Sequence, residues 1–128
     1  MAKHAVFSAQ SQPIGPYSPA VALGDLLFIS GQTPLDAATG KLVAGDISRQ
    51  TQQCLENLKA VLEAAGLGFA HVLKTTIFLT DMADFAAVNA VYKSYFSEPY
   101  PARSTVAVVA LPMGARVEIE MIASRSAQ

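Results

Sequence analysis

The sequence predicts an α+β fold, with one mixed β-sheet and two helices packed on one of its faces. Two observations carry this. Two segments place apolar residues at three- and four-residue spacing, and shorter segments rich in β-branched and aromatic residues lie before, between and after them. A chain of 128 residues fits one domain, here 1–128, and is long enough to bury a single core.

The elements follow in order. A short strand is expected near Ala5 to Phe7, then a second at LLFIS, residues 26–30. Asp46 can cap a helix in which Ile47, Cys54, Leu55, Leu58, Val61, Leu62 and Ala65 form one stripe, and Gly66 supplies its stop. VLKTTIFL at 72–79 reads as a strand. From Asp84 a second helix runs with Phe85, Val88, Tyr92, Tyr95 and Phe96 on one stripe, and the segment from Pro99 to Pro101 ends it. Asn89 falls on that same buried stripe. STVAVVAL at 104–111 and VEIEMIA at 117–123 complete the sheet.

Two helices cover only one face of a five- or six-stranded sheet. Yet LLFIS and STVAVVAL are apolar at consecutive positions, the pattern of strands buried on both faces. The uncovered face therefore predicts a homo-oligomer. Composition agrees: 52% of residues are hydrophobic, 15% are charged and the mean hydropathy is +0.33, rich in apolar surface for so small a chain.

Nine basic and ten acidic residues give a net charge of -1, which excludes a broad electrostatic footprint for nucleic acid or anionic membranes. A lone cysteine excludes an intramolecular disulfide, and Cys54, among Gln53, Leu55 and Leu58, reads as a small core residue in a reducing compartment. The N-terminal MAKHAVFSAQ has no apolar h-region and no apolar run approaches the roughly 20 residues of a membrane helix, so a cytoplasmic location is expected.

No phosphate-cradling, dinucleotide, nucleophile-elbow or zinc-protease motif occurs, and His4 and His71 lack neighbours at metal-ligand spacing, so no metal is expected. What remains is polar residues in unusual places. Tyr17 sits in IGPYSPA, stiffened by Pro16 and Pro19, and Ser30 and Gly31 end the LLFIS strand, where a glycine admits close approach. Arg103 opens a strand after Pro101 with a fork suited to a carboxylate, and Glu118 and Glu120 return among apolar residues. A buried charge needs a partner, and here the partners are either each other or a ligand. Arg103 and Thr105 share one face, as do Glu118 and Glu120. If these two strands pair directly, an odd register sum puts all four on one side and an even sum separates them.

Taken together, IGPYSPA, FISGQTP, QTQQCLENLKAVLEAAG, KTTIFLTDMADFAAVNAVY and YPARSTVAVVALPMGARVEIEMIA resemble the RidA (YjgF) family of reactive-intermediate deaminases, from about residue 13 to 124. The resemblance implies a chorismate-mutase-like fold, a homotrimer with active sites in clefts between subunits, and no cofactor. It implies hydrolysis of enamine and imine acids, such as 2-aminoacrylate and 2-iminobutanoate made by pyridoxal-phosphate-dependent dehydratases, to 2-keto acids and ammonia. By motif, Arg103 would anchor the carboxylate and Glu118 would position the attacking water, while Tyr17, Ser30, Gly31 and Asn89 would line the cleft. One position departs: the family's well-studied members have cysteine where this chain has Thr105, so a thiol nucleophile is not required. Two other readings compete. One is a trimeric small-carboxylate sensor without turnover. The other is a chaperone-like or ribonuclease role, and the balanced charge argues against its nucleic-acid version.

Overall fold

In the computed structural model, which describes residues 1–11 and 13–127, the chain forms the strands β1 (His4–Val6), β2 (Ala20–Leu23), β3 (Leu26–Gln32), β4 (Leu35–Asp36) and β5 (Lys41–Leu42) before its first helix, α1 (Ile47–Ala64). Then come β6 (Val72–Leu79), α2 (Phe85–Lys93), β7 (Ala102–Ala107) and β8 (Val117–Ser124). The main sheet has the order β1-β2-β3-β8-β6-β7, and β4 and β5 form a separate two-stranded ribbon. The sheet is mixed. β6 and β7 are parallel, whereas β8 runs antiparallel to both β3 and β6.

Both helices are crossover connections between parallel strands, β3 to β6 and β6 to β7, and both crossovers step the same way across the sheet. The single preferred handedness of such connections puts both helices on one face. There Leu55, Leu58, Val61 and Leu62 of α1 and Val88 of α2 close over Leu27, Ile29, Ile77, Leu79, Val117, Ile119 and Met121, all buried.

The ends of α1 are set locally, as its sequence predicts. Asp46 accepts from the Arg49 N–H at 2.9 Å, and Gly66, at φ 77°, takes the left-handed turn that lets the N–H groups of Gly66 and Leu67 bond back to Glu63 and Leu62. Cys54 is fully buried, as expected, and burial raises its thiol pKa further from the reactive range. His71 serves the local backbone, its Nδ1 accepting the Gly68 N–H at 3.1 Å.

Four features differ from expectation. The helix α2 stops at Lys93, where the N–H groups of Ser94 and Tyr95 bond back three residues to Val91 and Tyr92, each at 3.0 Å, and the Ser94 hydroxyl also donates to the Val91 carbonyl at 2.6 Å; Tyr95 and Phe96 pack just beyond it. The strand β7 begins at Ala102 and ends at Ala107. Its neighbour β6 is finished at Leu79, whose carbonyl takes the Val108 N–H, so residues 108–111 have no strand to pair with. The strand β2 has no clear signal in the sequence; AVAL is short and weakly β-forming, and its partner β3 across the Gly24–Asp25 turn holds it. The β4–β5 ribbon is likewise unsignalled.

The sheet face that the two helices leave uncovered is bare in one protomer, as the sequence leads one to expect. Leu26, Phe28, Leu73 and Val106 stay exposed, and β7 lies at an edge. No helix of the described residues is long and apolar enough to cross a membrane. Self-association through the bare face is therefore the expected outcome. Light scattering should give a multiple of the 13.5 kDa chain mass. Phe28→Asp, which puts a charge at the middle of that face, should bring the mass down to the monomer.

Candidate active site

Because β6 lies between β7 and β8, Arg103 and Glu118 never pair directly. Thr75 is opposite both Arg103 and Met121, whereas Phe78 is opposite Glu118 and Thr76 is opposite Glu120. Side chains alternate along β6, so Arg103 faces the helices and both glutamates face the uncovered side. The salt bridge between them that the sequence left open does not form in one protomer.

On the helix side, α2 presents Phe85, Asn89, Tyr92 and Lys93 along one stripe, three and four residues apart. The Arg103 guanidinium lies 4.9 Å from the Tyr92 ring centre and 5.7 Å from that of Phe85. The Tyr92 ring is held in turn by its hydroxyl, 2.8 Å from Oγ1 of the fully buried Thr75, and by stacking on Phe96 at 4.4 Å. Burial pushes the Tyr92 phenol pKa up, against the opposing effects of the Thr75 bond and the Arg103 charge, so the ring stays neutral. Among the described residues Arg103 has no carboxylate within ion-pair distance. Its hydrogen-bonding fork and charge remain available. Asn89, Tyr92, Lys93, Tyr100, Pro101 and Arg103 line a cavity of about 430 Å³. Thr105 shares the Arg103 face, and its Oγ1 is buried without a hydrogen-bond partner.

A second group gathers at the far end of β3. The Ser30 hydroxyl donates to the Ser18 carbonyl at 2.7 Å and the Ser30 N–H to that of Pro19 at 2.9 Å, which ties the IGPYSPA segment to the sheet. Tyr17 and Gly31 line a small cavity of about 30 Å³ with Ser11, Gln32 and Met113. The register of β3 against β8 shifts between Ile29 and Gln32, and Glu118 enters this irregularity. A Cβ on Gly31 would lie 2.8 Å from Glu118 Cδ and in collision with Oε2, so Gly31 is the gap that accepts the carboxylate. Burial pushes the half-buried Glu118 carboxyl above the ordinary glutamate value, and the nearby Glu120 charge adds to the shift.

The predicted residues thus fall into two clusters. Arg103, Thr105 and Asn89 form one, and Tyr17, Ser30, Gly31 and Glu118 form the other. Sequence reasoning places Tyr92 and Phe85 in the core and misses their hold on Arg103; it also misses Lys93 and Tyr100. The available signal is the 85, 89, 92 spacing, since one stripe that carries an asparagine among aromatics has to meet something polar.

With this geometry in hand, the relatives become informative. The sequence profile described as endoribonuclease L-PSP matches residues 7–125. This chain belongs to that family, the RidA (YjgF) group. It is 55% identical to protein DfrA of Myxococcus xanthus over 126 residues, 96% of each chain. It is 51% identical over 110 residues to the mouse 2-iminobutanoate/2-iminopropanoate deaminase, covering 86% of this chain and 82% of that one. Among solved structures, E. coli TdcF with bound serine superposes with a TM-score of 0.90 at 43% identity, over 96% of this chain and 99% of that one. The mixed α+β fold of the Rid group is thereby the fold of this chain.

Gly31→Ala tests the contact between Gly31 and Glu118. The blocking atoms belong to a side-chain end that can swing away, so stability should fall by no more than about 1 kcal/mol in thermal unfolding. The Glu118 carboxyl should nonetheless leave its site, and carbon-detected NMR titration should show its pKa returning toward the ordinary glutamate value.

Proposed function

We propose that the protein hydrolyses reactive 2-enamine and 2-imino acids, of the 2-aminoacrylate, 2-iminopropanoate and 2-iminobutanoate type, to 2-keto acids and ammonia. The observation that carries this reading is Arg103, a guanidinium held on aromatic faces at the wall of a cavity, with no carboxylate partner among the described residues. An anion is what such a group lacks. The mouse relative's name and the serine bound to the E. coli relative support a small amino-acid-like ligand.

The chemistry needs Arg103 and Glu118 in one cleft, and one protomer holds them on opposite faces of its sheet. A homotrimer that lays the uncovered face of one subunit near β7 of the next would join an Arg103 cluster to a Glu118 cluster. The exposed apolar residues on that face support such an assembly.

In that cleft Arg103 holds the substrate carboxylate by its fork, which orients the imine carbon toward a water on Glu118. The water oxygen bonds to the imine carbon as the C=N π electrons move to nitrogen, and Glu118 takes the proton released from the water. Glu118 returns that proton to the nitrogen, which gives a carbinolamine, and then carries the hydroxyl proton to the same nitrogen as the C–N bond breaks, the C=O bond forms and ammonia leaves. No cofactor is called for, and the reactive substrates are products of pyridoxal-phosphate-dependent dehydratases. The mechanism uses Glu118 as a base, for which a raised pKa is an advantage near neutral pH.

To test the anchor, imine is generated in place with an amino-acid oxidase and the remainder is trapped with semicarbazide. Arg103→Ala should abolish competition with the trap, and Arg103→Lys should retain only part of it, since it keeps charge without the fork. Full activity in a folded Arg103→Ala protein would remove this reading.

Glu118→Gln should leave 2-keto acid binding nearly intact and lower hydrolysis by ~10²-fold or more. Were the wild type no faster than this variant while both bound ligand, the protein would be a carboxylate-binding module. The pH dependence follows in sign. A base must be ionised, so activity should rise with pH through a limb above the ordinary glutamate range. Glu120→Gln removes the repelling charge and should move that limb to lower pH.

A further inference from the structure

The cavity beside Arg103 contains a second cation that the hydrolysis of simple imino acids does not use. Lys93 lines it one helical turn beyond Asn89, on the stripe of α2 that also carries Phe85 and Tyr92. Among the described residues of one protomer no carboxylate lines this cavity, and Lys93, like Arg103, has no ion-pair partner. Two positive charges therefore share one cavity of about 430 Å³ with the Asn89 amide and the Tyr100 hydroxyl. A three-carbon imino acid brings one negative charge and fills a small part of that space.

Lys93 also sits in the last turn of α2, where the helix dipole favours a cation. That accounts for its charge but not for its place on the face that meets Arg103. We propose that Lys93 is a specificity-determining residue that extends the substrate class to 2-imino dicarboxylic acids, Arg103 taking the carboxylate next to the imine and Lys93 the one at the end of the side chain. This rests on the site reading above, in which Arg103 is the anchor. The reaction is unchanged: water adds to the imine carbon, ammonia leaves, and the product is a 2-keto dicarboxylic acid. Such substrates come from reactions that oxidise acidic amino acids to their imines, or that dehydrate 3-hydroxylated ones.

The stable keto acids 2-oxoglutarate and 2-oxobutanoate serve as calorimetric probes, one with the second carboxylate and one without. The wild type should bind 2-oxoglutarate the more tightly. Lys93→Met should weaken 2-oxoglutarate by about fivefold, as expected for one partly exposed charge pair, and leave 2-oxobutanoate unchanged. Lys93→Arg should keep the preference, and added salt should erode it. In the trapping assay, the ratio of kcat/KM for the glutamate-derived imine to that for the 2-aminobutanoate-derived imine should drop by the same factor in Lys93→Met.

Equal binding of the two keto acids by the wild type, or an equal change for both in Lys93→Met, would overturn the proposal. Arg103→Ala separates failure of the dicarboxylate inference from failure of the anchor. If it abolishes binding of both keto acids while Lys93→Met alters neither, only the dicarboxylate inference falls. If Arg103→Ala binds both normally, the anchor itself is wrong and the dicarboxylate inference falls with it.

Discussion

Each residue of β6 from Lys74 to Leu79 is paired on both sides, with β8 on one flank and β7 on the other, so the alternation of this one strand sets the facing of two neighbours at once. Ile77 and Leu79 bury against the helices, so Arg103 and Thr105, in step with Thr75 and Ile77, must lie on the helix side. Phe78 and Thr76 point away, and Glu118 and Glu120 go with them. One register assigns the cation and the carboxylates to opposite faces.

Among the described residues of one protomer, that separation leaves Arg103 and Glu118 each without an ion-pair partner. Had Arg103 and Glu118 paired, the pair would have been neutral, and a ligand would have had to break it. The aromatic faces of Tyr92 and Phe85 instead hold the guanidinium through its π surface, with an attraction of about 0.5–2 kcal/mol that cancels none of its charge. The position of Tyr92 is fixed by Thr75 on β6, so the strand that sets the facing of Arg103 also braces the ring beneath it. Glu118 is held differently. The missing side chain of Gly31 leaves it room, and its protonation equilibrium absorbs the cost of partial burial.

A protomer with one of these clusters on each face of its sheet is also a protomer with an exposed apolar surface. The exposed Phe28 and Leu26 on β3 are apolar residues in a strand whose other face is already the core, and Val106 on the edge strand β7 lies on the same uncovered side. The same apolar runs that make the chain hydrophobic overall place apolar surface on that face. In the function proposed above, assembly and completion of the site would have one physical origin in the bare face.

Much of this is legible in the residues. Helical spacing with Asp46 and Gly66 at its ends determines α1, and β-branched runs determine β3, β6 and β8, because periodicity and capping are local properties. The motifs around Tyr17, Ser30, Gly31, Asn89, Arg103 and Glu118 single out the residues of the two clusters. Pairing is a different matter. The sequence has no means of saying that β6 intervenes between β7 and β8, that Leu79 ends early enough to stop β7 at Ala107, or that Tyr92 turns its ring to Arg103 and not wholly to the core. Those outcomes depend on contacts between residues distant along the chain, where one shift in register reverses the face of every side chain, and only the tertiary structure decides the register.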